Sequence, residues 1–118
     1  MKKSYSAIVE YPPFSINKAW QGRRFMTPEY KKWRAGLKEM LENEVEFRVD
    51  GWIELEINFY VKQFGRLDGD NLVKGFADSL VDAGIIEDDR KIVHYSIWKH
   101  KPKDGKEKIK FEIKRYGY

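Results

Sequence analysis

The chain predicts an α+β domain with two helices packed on one face of a small mixed four-stranded sheet, in the order β-α-β-α-β-β. Three observations predict it. Residues 53–61 alternate apolar and polar side chains, the period-two pattern of a strand with one buried face. Two segments, about 28–44 and 70–83, repeat apolar residues every three or four positions, as amphipathic helices do. One strand-like segment precedes these helices, one lies between them, and two follow, an order that fits an α+β layer better than a regular βαβ repeat.

The first strand is expected over 5–11. Pro12 and Pro13 halt it, because they have no amide protons to give a ladder. Residues 14–26 read as an irregular basic loop with Asn17, Lys18, Arg23 and Arg24. Thr27-Pro28 reads as a helix start, with Thr27 as N-cap and proline at the first helical position. That helix runs to about Glu44, with Trp33, Leu37, Met40 and Leu41 as its stripe. Gly51 opens the second strand. In it Ile53, Leu55, Ile57, Phe59 and Val61 alternate with Glu54, Glu56, Asn58, Tyr60 and Lys62.

A loop over 63–69 leads to the second helix, about 70–83, with Asp70 a plausible N-cap. Its apolar stripe is Leu72, Val73, Phe76, Ala77, Leu80 and Val81, and Gly84 is the expected left-handed cap. The last two strands are expected over 91–100 and 106–116, joined by a turn at 102–105.

A chain of 118 residues fits one domain, 1–118. It contains no cysteine, which excludes disulfides, zinc–thiolate sites and a thiol nucleophile and fits a cytoplasmic protein. The N-terminus has no long apolar run, so neither a signal peptide nor a membrane span is expected. His94 and His100 lack acids at ligand spacing, and no glycine loop has the phosphate-cradling pattern.

The net charge of +4 is unevenly distributed. Residues 1–48 carry ten Lys/Arg against six Asp/Glu, residues 49–90 four against ten, and residues 91–118 nine against three. An acidic centre between basic flanks suits a protein that holds a hard cation and a polyanion together. It also suits a merely solvated surface.

The acids of that centre are specific in their spacing. Asp68 and Asp70 stand two apart, with Asn71 beside them and Lys74 one turn later. Asp-Gly-Asp is ordinary turn chemistry on its own. Lys74 shares a helix face with Asp70 and Asp78, and a surface pair of that kind contributes only about 0.3–0.5 kcal/mol. The same ammonium could stabilise charge on a scissile phosphate or position an attacking water. Asp88 and Asp89 follow. An extended backbone sends them to opposite sides, so one is the expected metal ligand, Asp89, and the other a supporting residue. Arg90 and Lys91 could equally neutralise both. Three acids and a lysine are a common set for metal-assisted phosphodiester hydrolysis.

Asp68-Gly-Asp70-Asn71-x-x-Lys74-x-x-x-Asp78-x-Leu80, followed by Ala83-Gly84 and Asp88-Asp89-x-x-Val93, resembles the RusA family of Holliday junction resolvases, small endodeoxyribonucleases often encoded by phages and prophages. Pro12-Pro13 and Asn17 resemble that family's opening, so the likeness spans nearly the whole chain. It implies a homodimer that resolves four-way DNA junctions by paired, Mg2+-dependent nicks in recombination and repair, with Mn2+ as a possible substitute. Asp68, Asp70 and Asp89 match the metal-binding acids, Lys74 the catalytic lysine, and Asn71 and Asp88 positions close to the site. Where some members carry a run of arginines before the first Asp, this chain keeps only Arg66. That bears on the strength or sequence preference of DNA contact at the loop, not on the chemistry. Further expected DNA contacts are Asn17, Lys18, Arg23, Arg24, Lys99 and Lys101; Phe14, Trp20 and Phe25 more often would pin the loop to the core, though such a ring could wedge into a branch point. A metal-dependent nuclease for other branched DNA and a DNA-binding module without catalysis fit the same residues.

Overall fold

Alternation in one strand decides the centre of the molecule. The computed structural model describes residues 4–15, 20–21 and 25–117. In it β1 (Ser4–Val9) is followed by a short antiparallel hairpin, β2 (Trp20–Gln21) and β3 (Phe25–Met26), then α1 (Pro28–Glu44), β4 (Ile53–Tyr60), α2 (Gly69–Asp82), β5 (Ile92–His100) and β6 (Lys108–Arg115). The main sheet has the order β1-β6-β4-β5. Only the β4–β5 pair is parallel, and a parallel pair needs a long crossover, which α2 supplies. The α+β class and the order of helices and strands are as the sequence predicts. The hairpin β2–β3 is an addition, formed inside the segment expected to be an irregular loop.

β4 is central, and its odd-numbered residues face the core. Ile53, Leu55, Ile57 and Phe59 are buried, as are their β6 partners Ile109, Phe111 and Ile113 and, on β1, Val9. The opposite face is polar where β4 presents Glu54, Glu56, Asn58 and Tyr60. The helices close the apolar face. From α1, Tyr30, Trp33, Leu37 and Leu41 are buried, and from α2, Leu72, Phe76, Ala77 and Leu80. Phe76 sits edge-on to Phe59 and Phe111, with ring centroids 6.2 and 5.2 Å away. At Gly75 the helices approach closely, since an added Cβ would lie 3.1 Å from the Trp33 ring.

Local signals set the helix ends. The Thr27 hydroxyl accepts from the Tyr30 amide at 3.2 Å, the expected N-cap. The second helix starts earlier than expected. Asp68, not Asp70, is its N-cap residue, and the Asp68 carboxylate makes no capping hydrogen bond. Gly84 follows the helix at φ 75°, the left-handed conformation that a residue with a Cβ adopts at a cost.

The N-terminal loop is tied to α1. The Tyr11 hydroxyl donates to the Trp33 carbonyl at 2.9 Å, and the Trp33 indole donates to the Pro12 carbonyl at 2.5 Å. Phe14 packs against Tyr30 and Trp33 with centroids 5.4 and 5.7 Å apart, so this ring pins the loop to the core instead of standing free as a wedge. Asn17, Lys18, Arg23 and Arg24, and the side chains of Trp20 and Phe25, lie outside the described residues. Among the described residues no helix is long and apolar enough to cross a membrane.

Candidate active site

With its apolar stripe sunk into the core, α2 turns Asp70, Asn71, Lys74 and Asp78 outward. Asp68 stands in extended backbone just before the first turn, at φ −83° and ψ 133°. Its carbonyl accepts the Asn71 amide at 3.1 Å. Asp68 and Asp70 are exposed, and Asn71 is half-buried.

Lys74 joins this helix to the start of β5. Its ammonium donates to Asp78 Oδ1 and to Asp89 Oδ2, each at 3.1 Å. The first contact is the one-turn pair expected from spacing. The second bridges residues fifteen apart in the chain, and the fold alone creates it. The hydrogen bond that Lys74 donates to Asp89 raises the Lys74 pKa above 10.5, burial opposing it and Asp78 assisting. Lys74 is therefore a cation throughout the neutral range.

The segment that carries Asp89 is anchored at several points. Ile85 and Ile86 are buried. The Val49 amide donates to the Ile85 carbonyl at 2.8 Å, and the Glu87 carboxylate accepts the Gly51 amide at 2.6 Å. Residues Asp89–Lys91 form one 3-10 turn, where an extended strand start was expected. The Asp88 carboxylate caps that turn, accepting the Arg90 amide at 2.9 Å and the Arg90 guanidinium at 3.1 Å. These bonds, the backbone one foremost, hold the Asp88 carboxyl at a pKa of about 2. Asp88 thus pairs with Arg90 and Asp89 with Lys74, while the two carboxyls remain close enough to interact with each other.

Asp68, Asp70 and Asp89 are hard, anionic oxygen donors on the accessible side of α2, and their chemistry fits a divalent cation such as Mg2+. Among the described residues, however, no three Asp, Glu or His side chains are gathered tightly enough to form a metal-ligand group. Like carboxylates repel one another, and the cation that offsets the charge of Asp89 here is Lys74.

Two further residues belong to this neighbourhood. Tyr95 is partly exposed. Its phenol pKa is raised by burial and then by the charge of Asp89. The period-two alternation of β5 could have flagged it, since Tyr95, Ile97 and Lys99 share the helix-covered face. Lys99, expected as a phosphate contact, donates to the carbonyls of Phe64 and Leu67 at 2.7 and 2.6 Å and lines the basic groove beside that loop. Lys101 is exposed, 5.8 Å above the Phe64 ring, and Arg66 is exposed on the same loop. His100 is held by Asn58 at 2.7 Å and stacks on Tyr60.

The family model of the endodeoxyribonuclease RusA matches residues 11–114. The chain belongs to the RusA endodeoxyribonuclease family. The matched span contains every residue of the α2 face and of the Asp88-Asp89 turn. Among RusA relatives, the crossover junction endodeoxyribonuclease RusA of Enterobacteria phage HK97 is 28% identical over 91 residues, covering 74% of this chain and 75% of that protein. The chain is thus a member of a nuclease family, and at its α2–β5 corner Lys74 meets Asp78 and Asp89.

Proposed function

We propose that this protein is a structure-selective endodeoxyribonuclease that resolves four-way DNA junctions by paired, Mg2+-dependent phosphodiester hydrolysis, acting as a homodimer in recombination or repair. The observation that carries the reading is the Lys74–Asp89 contact at 3.1 Å. It joins a half-exposed cation to an acid outside its own helix, beside two acids that no helix cap consumes. The name of the phage relative supports the choice of substrate.

Asp68, Asp70 and Asp89 would hold the cation, Mg2+ or Mn2+. Such an ion, when bound, polarises a phosphate and lowers the pKa of a bound water. The chain's own residues do the remainder. Lys74, which keeps its proton at neutral pH, stabilises the charge that builds on the non-bridging phosphate oxygens. Asp78 holds the ammonium from the other side, so the cation is aimed before substrate arrives. Asp88 keeps the turn closed, and Asn71 secures the backbone of Asp68. The DNA arm is gripped beyond the site. A groove of about 740 Å3 lies next to the 63–67 loop, with Phe64, Lys99, Lys101, Lys103, Lys108 and Lys110 in its lining, a basic and aromatic surface suited to a phosphate backbone. A two-fold homodimer would place one such site on each of two opposed strands.

The test is cleavage of an end-labelled mobile four-way junction, beside duplex and flap controls, with Mg2+ and with EDTA. Paired, Mg2+-dependent nicks that ligase reseals are expected. Junction binding with no cutting in any divalent ion would reject the nuclease reading, and preferential cutting of flaps would reject the substrate.

A further inference from the structure

The acids at the start of α2 are positioned by something outside the helix. Asp68 gives its carboxylate no capping bond. The preceding loop has one internal turn bond, from the Arg66 amide to the Gln63 carbonyl at 3.0 Å. Gly65 lies in the same loop with open space around its Cα, nothing coming within 4 Å of an added Cβ. Phe64 and Leu67 pack against the core, but the backbone between them has few bonds of its own, and such segments open more readily than strands or helices.

One side chain crosses to it from the sheet. The Lys99 ammonium, on β5, donates to the carbonyls of Phe64 at 2.7 Å and of Leu67 at 2.6 Å. It also lies 4.8 Å from the Phe64 ring centroid, within cation–π range. An ammonium has three donors, and charged donors make the stronger hydrogen bonds. Leu67 is the residue immediately before Asp68. Two positions earlier on the same face of β5, Ile97 abuts Gly69, where an added Cβ would lie 3.1 Å from the Ile97 methyl. One strand therefore touches both sides of Asp68.

We infer that Lys99 is a positioning residue for the nuclease site, a clamp from β5 that fixes the backbone delivering Asp68 and Asp70. Its ammonium is engaged by two backbone carbonyls of the loop, at the edge of the basic groove that it also lines. This rests on the nuclease reading above. The clamp acts through the protein backbone, so it operates before any cation or DNA is present. Its loss raises the metal concentration the site requires, an effect that removing one charge from the neighbouring groove does not produce.

The experiment compares the wild-type chain with Lys99→Met and Lys99→Arg. Amide hydrogen exchange is measured over residues 63–68 in EDTA, together with junction binding in EDTA and cleavage against Mg2+ concentration. Lys99→Met is expected to exchange faster across 63–68 while β4 keeps its protection. Its junction Kd should rise only a few-fold at most, as for one lysine fewer in the groove, while its half-saturating Mg2+ should rise and cleavage at fixed low Mg2+ should fall about 10–100-fold, the usual cost of losing a group that orients metal ligands. Lys99→Arg, whose guanidinium can donate to two carbonyls, should recover most of both. Unchanged exchange with unchanged Mg2+ dependence would overturn the clamp. So would a weakened Kd at unchanged Mg2+ dependence, which is the signature of a phosphate contact. Should Lys99→Met fail to fold by circular dichroism, Lys99→Gln takes its place, and wild-type exchange in that variant overturns the clamp. A wild-type protein that does not cut junctions removes the nuclease reading, yet the exchange measurement still decides whether Lys99 holds the loop.

Discussion

The two acid pairs of this molecule look alike in sequence and are built differently. Asp88 and Asp89 sit in a turn that holds itself. Asp88 accepts from the amide and the guanidinium of Arg90 two positions on, and the neighbouring isoleucines are sunk in the core. One acid is consumed by the turn, and the other is left to meet Lys74. Asp68 and Asp70 have no such local support. Their loop is secured from the sheet by Lys99 across more than thirty residues. A self-capped pair tolerates change elsewhere, whereas a pair fixed at long range depends on the register of β5 against the loop.

The largest effect should come from the externally held pair. Asp70→Asn keeps size and removes the charge, and it is expected to reduce Mg2+-dependent junction cleavage by far more than the ~10–100-fold typical of losing an outer-shell partner. Its melting temperature and its junction Kd in EDTA should stay close to wild type. Cleavage within tenfold of wild type would remove Asp70 from the site.

Next is the cation between the two pairs. Lys74→Met should lower kcat by about 10²–10³, the range for removing one group that stabilises transition-state charge. Junction affinity should change little, and single-turnover kinetics separates the two. A loss confined to Kd would make Lys74 a binding residue only.

A smaller effect tests the seat of α2. Gly75→Ala places a methyl 3.1 Å from the Trp33 ring and should destabilise by about 1–3 kcal/mol, as overpacking does. Denaturant unfolding would read it, and a neutral result would mean that the Trp33 ring yields.

The smallest effect belongs to the self-capped turn. The Asp88 carboxyl, held at about 2 against an ordinary 3.8, contributes to the closed turn at any pH above 3.8 and loses that contribution as the pH falls through about 2. Carboxyl-carbon NMR of the metal-free protein should show that low midpoint. Asp88→Asn should abolish the titration and leave neutral-pH cleavage nearly unchanged. An Asp88 midpoint near 3.8 would mean that the turn is not capped in solution.

Much of this was legible in the chain. The alternation from Ile53 to Val61, the stripes from Trp33 and Leu72, the Thr27-Pro28 start and the Gly84 stop all became the expected elements, because each depends on neighbours within one or two turns of backbone. The polar face that groups Asp70, Lys74 and Asp78 followed from helical spacing. The misses are of another kind. Asp70 was the expected cap and Asp68 took the place, a shift of two residues at a loop–helix boundary. An extended start to β5 became a 3-10 turn. The hairpin β2–β3 lay hidden in a segment without periodicity, and Lys99 looked like any other solvent-facing lysine on a basic strand.

The sequence by itself determined which residues are apolar at which period, where the first helix begins and the second one ends, and that acids and basic flanks lie in separate blocks, since propensity, capping and charge act locally. Only the tertiary structure decided that Lys74 meets Asp89 and not merely Asp78, and that Lys99 reaches two backbone carbonyls of the 63–67 loop. The physical reason is the parallel β4–β5 pair. By forcing α2 to cross over the sheet it lays the start of β5 beside the helix and the end of β5 against the loop before Asp68, and no local pattern encodes a contact that exists only once that crossover has closed.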